Sequence, residues 1–335
     1  MNKPVSIYLL FPDKFDAIYN AAAQLEIGRL TRNEGQIHGR KMVLQNPEAY
    51  EDVEIVFSGW GAPVFDVELL SHLPKLKAIF YGAGTVKSWT TDALWDRDVL
   101  VTSAFEANAI PVAEYTVAAV VLGLKKAWTY SRNLANGTRR DHARDYAIGV
   151  FDGSQVGIIS LGAVGRRVCQ MLQNFNLKIV AYDPFVADSV FEELGVGRVD
   201  SLDALFRSSD VVSLHAPSLP STAGLITKAH FQAMLEGATF INTARGAIVD
   251  EAGMIEVLQA RPDLFAVIDV ITDEARYHRC DLTKMENVFL TPHIAGSLGR
   301  ECHRMGLVAV EECRRYLAGK PPIAQVTRSS IALMA

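Results

Sequence analysis

Three residues in the second half of the chain, Arg245, Glu274 and His293, carry the side chains needed to reduce a carbonyl that stands beside a carboxylate. A guanidinium is a planar fork that holds a carboxylate and polarises the neighbouring carbonyl oxygen. A histidine titrates near neutrality and can deliver a proton to that oxygen as hydride arrives at carbon. A carboxylate against the histidine favours its protonated form and fixes which nitrogen faces the substrate. Taken singly, each has an ordinary explanation: a surface ion pair, a satisfied core histidine, a solvated loop acid. Their placement joins them. Arg245 follows Ile241-Asn242-Thr243-Ala244, Asp269 lies inside the next apolar run with Glu274 five residues on, and His293 follows Thr291-Pro292. Residues at or beyond strand ends on one edge of a sheet converge in space. Asp273 is the nearest competitor for the carboxylate role.

The stretch Gln155 to Asp183, QVGIISLGAVGRRVCQMLQNFNLKIVAYD, reads as strand, tight turn, helix and strand. Gly162 and Gly165 let backbone approach a pyrophosphate, the helix N-terminus offers free N–H groups and positive dipole, and Asp183 can accept hydrogen bonds from an adenosine ribose. Ser160 stands where a first glycine is expected. The turn is expected to keep φ negative there, where serine costs little.

Around these residues, apolar runs alternate with helix-like segments. In the first part the runs are Val5–Leu10, Met42–Leu44, Glu54–Phe57, Ala78–Tyr81 and Val99–Ser103. Strands separated by helices imply a parallel sheet with crossovers, which draws notice to Ser58-Gly59-Trp60-Gly61 and Gly82-Ala83-Gly84 beyond strand ends. A long, mostly apolar helix is expected from Asn108, as N-cap, to Asn136-Gly137, with Pro111 in its first turn. Residues 138–149 are charged and aperiodic, an exposed arm or linker. From Val156 onward six strands are expected, with Ser201 and Asp250 capping two of the intervening helices. A last long helix runs from Gly299 to Leu317. The fold class is therefore α/β in two domains: a doubly wound parallel sheet of the Rossmann type at 108–297, and a smaller flavodoxin-like domain from 1–107 and 298–335.

Composition excludes other classes. The chain has 335 residues, 49% hydrophobic and 21% charged, with 38 acidic and 33 basic residues mixed to a net charge of -5. That is an ordinary globular balance without the basic footprint of a nucleic-acid binder. No uninterrupted apolar run approaches the roughly 20 residues of a membrane helix. The opening MNKPVSIYLLFPDKF reads as a buried first strand rather than a signal peptide, because Pro12 and Asp13 end its short apolar run. Cys169, Cys280, Cys302 and Cys313 lack metal-ligand spacing and read as reduced residues of a cytoplasmic protein.

Five segments together resemble the D-isomer-specific 2-hydroxyacid dehydrogenases: VGIISLGAVG (156–165), HAPSLPSTAGLI (215–226), FINTARGAIVDE (240–251), IDVITDE (268–274) and TPHIAGS (291–297). NAIPVAE (108–114) and, loosely, GAG (82–84) add to it. The resemblance implies an NAD-dependent oxidoreductase acting between a 2-oxo acid and a D-2-hydroxy acid. Arg245 would bind and polarise substrate, His293 be the acid or base, and Glu274 its partner, with backbone near Ala83 and Gly84 on the substrate carboxylate. For the cofactor it implies Ser160, Gly162, Ala163, Val164, Gly165, Asp183, His215, Ala216, Pro217, Thr222, Thr243, Ala244, Asp269 and Gly296. Asp183 favours NAD over NADP because its charge repels a 2′-phosphate. The carboxylate at 274 argues against formate dehydrogenase, which carries an amide there. Ala275 departs from the family's usual proline, and the tryptophan common before the dinucleotide strand is absent, with Tyr146 or Phe151 as stand-ins. Trp60, Phe105, Tyr277, His278 and Met305 are candidate pocket walls. A homodimer through the cofactor domain, using the helix from 108 and the arm at 138–149, is expected. The alternative function is a non-catalytic NAD-sensing interaction protein on the same fold.

Overall fold

The computed structural model describes residues 3–137 and 152–333. Among these the strands are β1 (Val5–Leu9), β2 (Ile37–His38), β3 (Val53–Ser58), β4 (Ala78–Tyr81), β5 (Leu100–Ser103), β6 (Gln155–Ile159), β7 (Lys178–Tyr182), β8 (Gly197–Arg198), β9 (Val211–Leu214), β10 (Thr239–Asn242), β11 (Phe265–Ile268), β12 (Val288–Leu290) and β13 (Gln325–Val326). They fall into two compact units: residues up to Asn108 together with those from Ser297 on, and Ala109–Gly296.

The first unit holds one sheet in the order β13-β5-β4-β3-β1-β2, parallel except for β13, which runs antiparallel to β5. All of β4 and all of β3 except Glu54 are buried, as in a parallel sheet covered on both faces. Val56, Ile79 and Trp89 pack on one side, Tyr8, Phe57 and Phe80 on the other. Each such side chain contributes about 1.5–3 kcal/mol by leaving water. The helix Cys302–Leu317 closes the second side through Ala309, Val310 and Cys313. A Cβ on its Gly306 would lie 2.0 Å from the Ile18 carbonyl oxygen, so only glycine allows that approach.

The second unit is a fully parallel sheet in the order β12-β11-β10-β9-β6-β7-β8. From β6 at the interior the chain builds outward through β7 and β8, then returns to place β9 on the other side of β6. The reversal makes a switch point at the carboxyl ends of β6 and β9, where doubly wound sheets bind ligands.

Several expectations are corrected. Met42–Leu44 is not a strand but part of the helix Arg40–Gln45, in which Val43 alone is buried; the edge strand is the two-residue β2, paired with β1. The second sheet has seven strands, not six, because the short β8 adds an edge. The long helix starts at Phe105 rather than after Asn108, and Pro111 lies in its interior. It ends at Leu124, and a second helix, Ala127–Ala135, follows a break at Lys126. That break has φ 52° at Lys126, whose ammonium donates to the Gly237 carbonyl. By length and composition Phe105–Leu124 would suffice to cross a membrane, yet most of it is buried within the protein. The arm at 138–149, Tyr146 and Phe151 lie outside the described residues.

Candidate active site

The turn after β6 corrects one sequence expectation directly. Ser160 has φ 75°, in the left-handed region, not the negative φ expected of it. The turn requires this conformation to bring the following helix down on the strand end: a Cβ on Gly165 would sit 2.0 Å from the Ser160 carbonyl oxygen. A left-handed non-glycine residue costs about 1–2 kcal/mol. The Ser160 hydroxyl offsets part of that by donating to Asp183 Oδ2 at 3.2 Å.

The helix Ala163–Leu172 begins at Gly162 without a side-chain cap. The N–H groups of Gly162, Ala163, Val164 and Gly165 have no partner among the described residues; the first helical bond is Arg166 N–H to Gly162 O at 3.0 Å. Nothing lies within 4 Å of a Cβ placed on Gly162, so this backbone is open to a ligand. By contrast, Ser201 and Asp250 do cap their helices through Ala204 and Gly253 N–H. Four free donors at a positive helix end, with Asp183 at the end of β7, fit a dinucleotide's pyrophosphate and ribose. Asp183 is buried and accepts from Leu161 N–H at 2.8 Å and Phe185 N–H at 2.9 Å, which holds its carboxylate at the turn.

Across the switch point, His215 and Ala216 follow β9. His215 is buried, pairs through Nε2 with Ser213 Oγ at 2.9 Å, and has no partner for Nδ1. Burial pushes its pKa down to about 3, so it is neutral. Thr222 Oγ donates to Pro217 O at 2.6 Å and accepts from Leu219 N–H at 2.9 Å, tying its loop rather than pointing free. Thr243 Oγ pairs with Thr116 Oγ at 3.2 Å.

Arg245 follows β10 and is partly buried. Its Nη1 donates to the Ala244 carbonyl at 2.6 Å, while Asn242 brackets the turn by accepting from Ala244 N–H and donating to Arg245 O. Burial lowers the Arg245 pKa and the charge of Glu274 opposes that; an arginine remains a cation under such a shift. Gly246 lies so close to the next loop that a Cβ would fall 2.0 Å from the Ile271 carbonyl carbon. This contact seats the arginine turn against the segment leading to Glu274.

Asp269, expected inside a strand, is instead the first residue after β11, and it organises the loop that carries His293. Its buried carboxylate accepts from Thr291 Oγ at 2.6 Å, Ile294 N–H at 2.8 Å and Ala295 N–H at 2.9 Å. Its carbonyl accepts from His293 N–H at 2.9 Å. Gly296 follows this loop directly. These bonds hold His293 at φ 54°, a left-handed strain of order 1–3 kcal/mol. His293 Nδ1 then lies 2.9 Å from Glu274 Oε2. Both side chains are about 40% exposed, leaving Nε2 available to a ligand.

Sequence reasoning missed two contacts here: Tyr115 hydroxyl to Thr291 Oγ at 2.9 Å, and Tyr277 hydroxyl to Asp269 O at 2.7 Å. Neither residue carries a motif that marks it. Of the pocket-wall candidates, Met305 is wholly buried, packed with Ala104, Ala107 and Cys302. Trp60 also packs partly on that cluster.

In the first unit, Ala83 and Gly84 follow β4. Their carbonyls accept from Ser103 Oγ, and their N–H groups have no partner among the described residues. A run of free N–H groups suits an anion.

Residues 117–295 match the family model described as D-isomer specific 2-hydroxyacid dehydrogenase, NAD binding domain. The chain belongs to the D-isomer specific 2-hydroxyacid dehydrogenase family. The D-3-phosphoglycerate dehydrogenase of Archaeoglobus fulgidus is 33% identical over 79% of this chain and 50% of its own length. The chain thus spans about half the length of such curated relatives. The (S)-sulfolactate dehydrogenase of Chromohalobacter salexigens is 30% identical over 75% of this chain and 81% of its own. Among solved structures, apo D-mandelate dehydrogenase of Rhodotorula graminis aligns with a TM-score of 0.78 at 25% identity, over 97% of this chain and 98% of that one. The matched residues make the second unit the family's NAD-binding domain, and the open helix terminus described above lies within them.

Proposed function

We propose that the protein is an NAD-dependent oxidoreductase that interconverts a 2-oxo acid and a D-2-hydroxy acid, with Arg245, Glu274 and His293 as its catalytic residues. The observation that carries this reading is the 2.9 Å contact between His293 and Glu274 on the unit that binds NAD. When bound, NADH supplies a hydride for C2 of the 2-oxo acid. Arg245 grips the substrate carboxylate with its planar fork and draws electron density toward the carbonyl oxygen. Glu274 accepts from Nδ1–H of His293, which turns Nε2 toward that oxygen, and Nε2 gives it a proton. In the reverse direction Nε2 takes the proton from the hydroxyl. Gly162 to Gly165 and Asp183 hold the cofactor, and Ala216, Pro217, Thr222, Thr243, Ala244, Asp269 and Gly296 belong to the same assignment.

The unit built around β4 is assigned to substrate, with the free N–H groups of Ala83 and Gly84 suited to its carboxylate. An apolar or modest side chain is favoured over a phosphorylated one, on the ground of the aromatic wall candidates Trp60 and Phe105. The test is NADH oxidation with glyoxylate, pyruvate, hydroxypyruvate, bulkier 2-oxo acids and 3-phosphohydroxypyruvate. Turnover of some of these, lost in His293→Ala and Arg245→Ala while NADH still binds, is expected. An NADH-dependent protein partner with no turnover on any 2-oxo acid would replace this reading with an NAD-sensing interaction protein.

A further inference from the structure

Glu274 opens the 3-10 helix Glu274–Arg279, an element that has little else to hold it. Asp273 provides no side-chain cap, none of the six residues is fully buried, and Tyr277 is the one that is partly buried. Ala275 leaves the backbone after Glu274 without the φ restriction a proline would impose. The Tyr277 ring packs against the core of the second unit, and Cys280 Sγ donates to the Tyr277 carbonyl at 3.2 Å. Its hydroxyl donates to the Asp269 carbonyl at 2.7 Å, and that same oxygen accepts His293 N–H at 2.9 Å. One carbonyl therefore fixes the element bearing Glu274 and the backbone of His293 together.

We infer that Tyr277 is a positioning residue, whose bond to Asp269 O holds Glu274 at hydrogen-bond distance from His293. The inference rests on the assignment of that pair as the acid–base machinery. Without the hydroxyl, the 3-10 helix keeps the packing of the ring, the Cys280 Sγ bond to the Tyr277 carbonyl and its short-range backbone bonds, none of which fixes its distance from the His293 backbone, and an exposed carboxylate on it samples positions beyond reach of Nδ1. The charged and titratable groups facing this hydroxyl are Asp269, Glu274 and Cys280; Arg276, His278 and Arg279 on the same element are exposed. Arg245 acts on the same Glu274 from the neighbouring turn. Burial, with the charges of Glu274 and Asp269, raises the phenol's pKa, so the hydroxyl remains a donor wherever the enzyme would work.

The test is the tautomer of His293, read by NMR of the full-length protein labelled with 15N-histidine and assigned by comparison with H293Q. In the neutral ring, Glu274 is expected to keep the proton on Nδ1. E274Q removes that preference, and Y277F is expected to shift the ring toward the Nε2–H form in the same sense. Y277L, which keeps apolar bulk against the core, must reproduce Y277F. Turnover in Y277F falls about ten-fold or more, as small misplacements of catalytic groups do, with NADH affinity unchanged. If Y277F and Y277L keep the wild-type tautomer while E274Q changes it, or merely lower the melting temperature, the positioning role is overturned and the acid–base pair stands. If E274Q itself leaves tautomer and turnover unchanged, the assignment beneath the inference falls.

Discussion

His293 holds a left-handed backbone, φ 54°, and from it reaches Glu274 Oε2 with Nδ1 at 2.9 Å. A histidine does not adopt that conformation for its own sake. Four hydrogen bonds from the 291–295 segment to Asp269 over-determine it: three to the carboxylate and one to the carbonyl. The strain is local and the support comes from a residue that was expected to serve the cofactor. Asp269 is thus the structural link between the sheet edge and the chemistry.

Removing either member of the pair should cost rate rather than fold, since both side chains are substantially exposed. His293→Gln is expected to lower kcat/KM for the best 2-oxo acid by about 10²–10⁴, the usual contribution of a positioned proton donor. Arg245→Lys should lose most of its activity too, because an ammonium cannot form the two-pronged contact. NADH binding, followed by fluorescence titration, should survive both. Wild-type turnover in either variant would remove that residue from the mechanism.

Gly246 tests the seating of Arg245. Gly246→Ala puts a Cβ 2.0 Å from the backbone of Ile271, which cannot yield as a flexible side chain would. Overpacking of this kind costs about 1–3 kcal/mol. The displaced loop also carries Glu274, so turnover should fall more than the melting temperature alone explains. A variant with normal stability and activity would show that the two turns move independently.

Much of this was legible in one dimension, and for a physical reason. Arg245 and His293 fall beyond strand ends, and an apolar run stopped by a polar residue marks a strand end without any knowledge of its neighbours; Asp269, expected inside its strand, is the first residue after it. Three-dimensional consequences were not legible. The sign of φ at Ser160 depends on how closely Gly165 must approach its carbonyl, which no residue type encodes. Met42-Val43-Leu44 has the composition of a strand, but one buried residue in three is a helix's stripe on a short segment. β2, β8 and β13 are two residues each, too short for periodicity to register. Tyr277 is a pocket-wall candidate by sequence, and nothing in the sequence shows that its hydroxyl bonds the Asp269 carbonyl.

His215 should make the fold acid-sensitive. Its pKa is about 3 in the folded protein against 6.5 ordinarily, because burial disfavours the charged ring. Above pH 6.5 both folded and unfolded chains hold it neutral and stability is complete. As pH falls from there toward 3, the unfolded chain takes up a proton that the folded one refuses, and stability drops by about 1.4 kcal/mol per pH unit. At pH 5 this amounts to about 2 kcal/mol. His215→Gln should flatten that part of the curve in urea unfolding measured between pH 7 and 4.5. Parallel curves for the two proteins would mean that folding does not lower the ring's pKa.

Ser160 gives the sharpest test of the cofactor turn. Glycine there escapes the left-handed cost of about 1–2 kcal/mol. It also gives the unfolded chain more freedom, a loss of about 0.4–1 kcal/mol, and forfeits the 3.2 Å bond to Asp183. Ser160→Gly should therefore be near wild type in stability, within about 1 kcal/mol. Ser160→Ala keeps the strain and loses the bond, so it should fall about 1 kcal/mol below wild type. Ser160→Val adds a β-branched side chain where such residues are true outliers, and it should be the least stable of the three. Thermal unfolding in the order Gly, Ala, Val reads the backbone conformation directly. An alanine variant as stable as the glycine one would mean that position 160 does not require positive φ. Affinity for NADH should vary little between glycine and alanine, because the donors proposed for the pyrophosphate are the N–H groups of Gly162 to Gly165, which neither change touches.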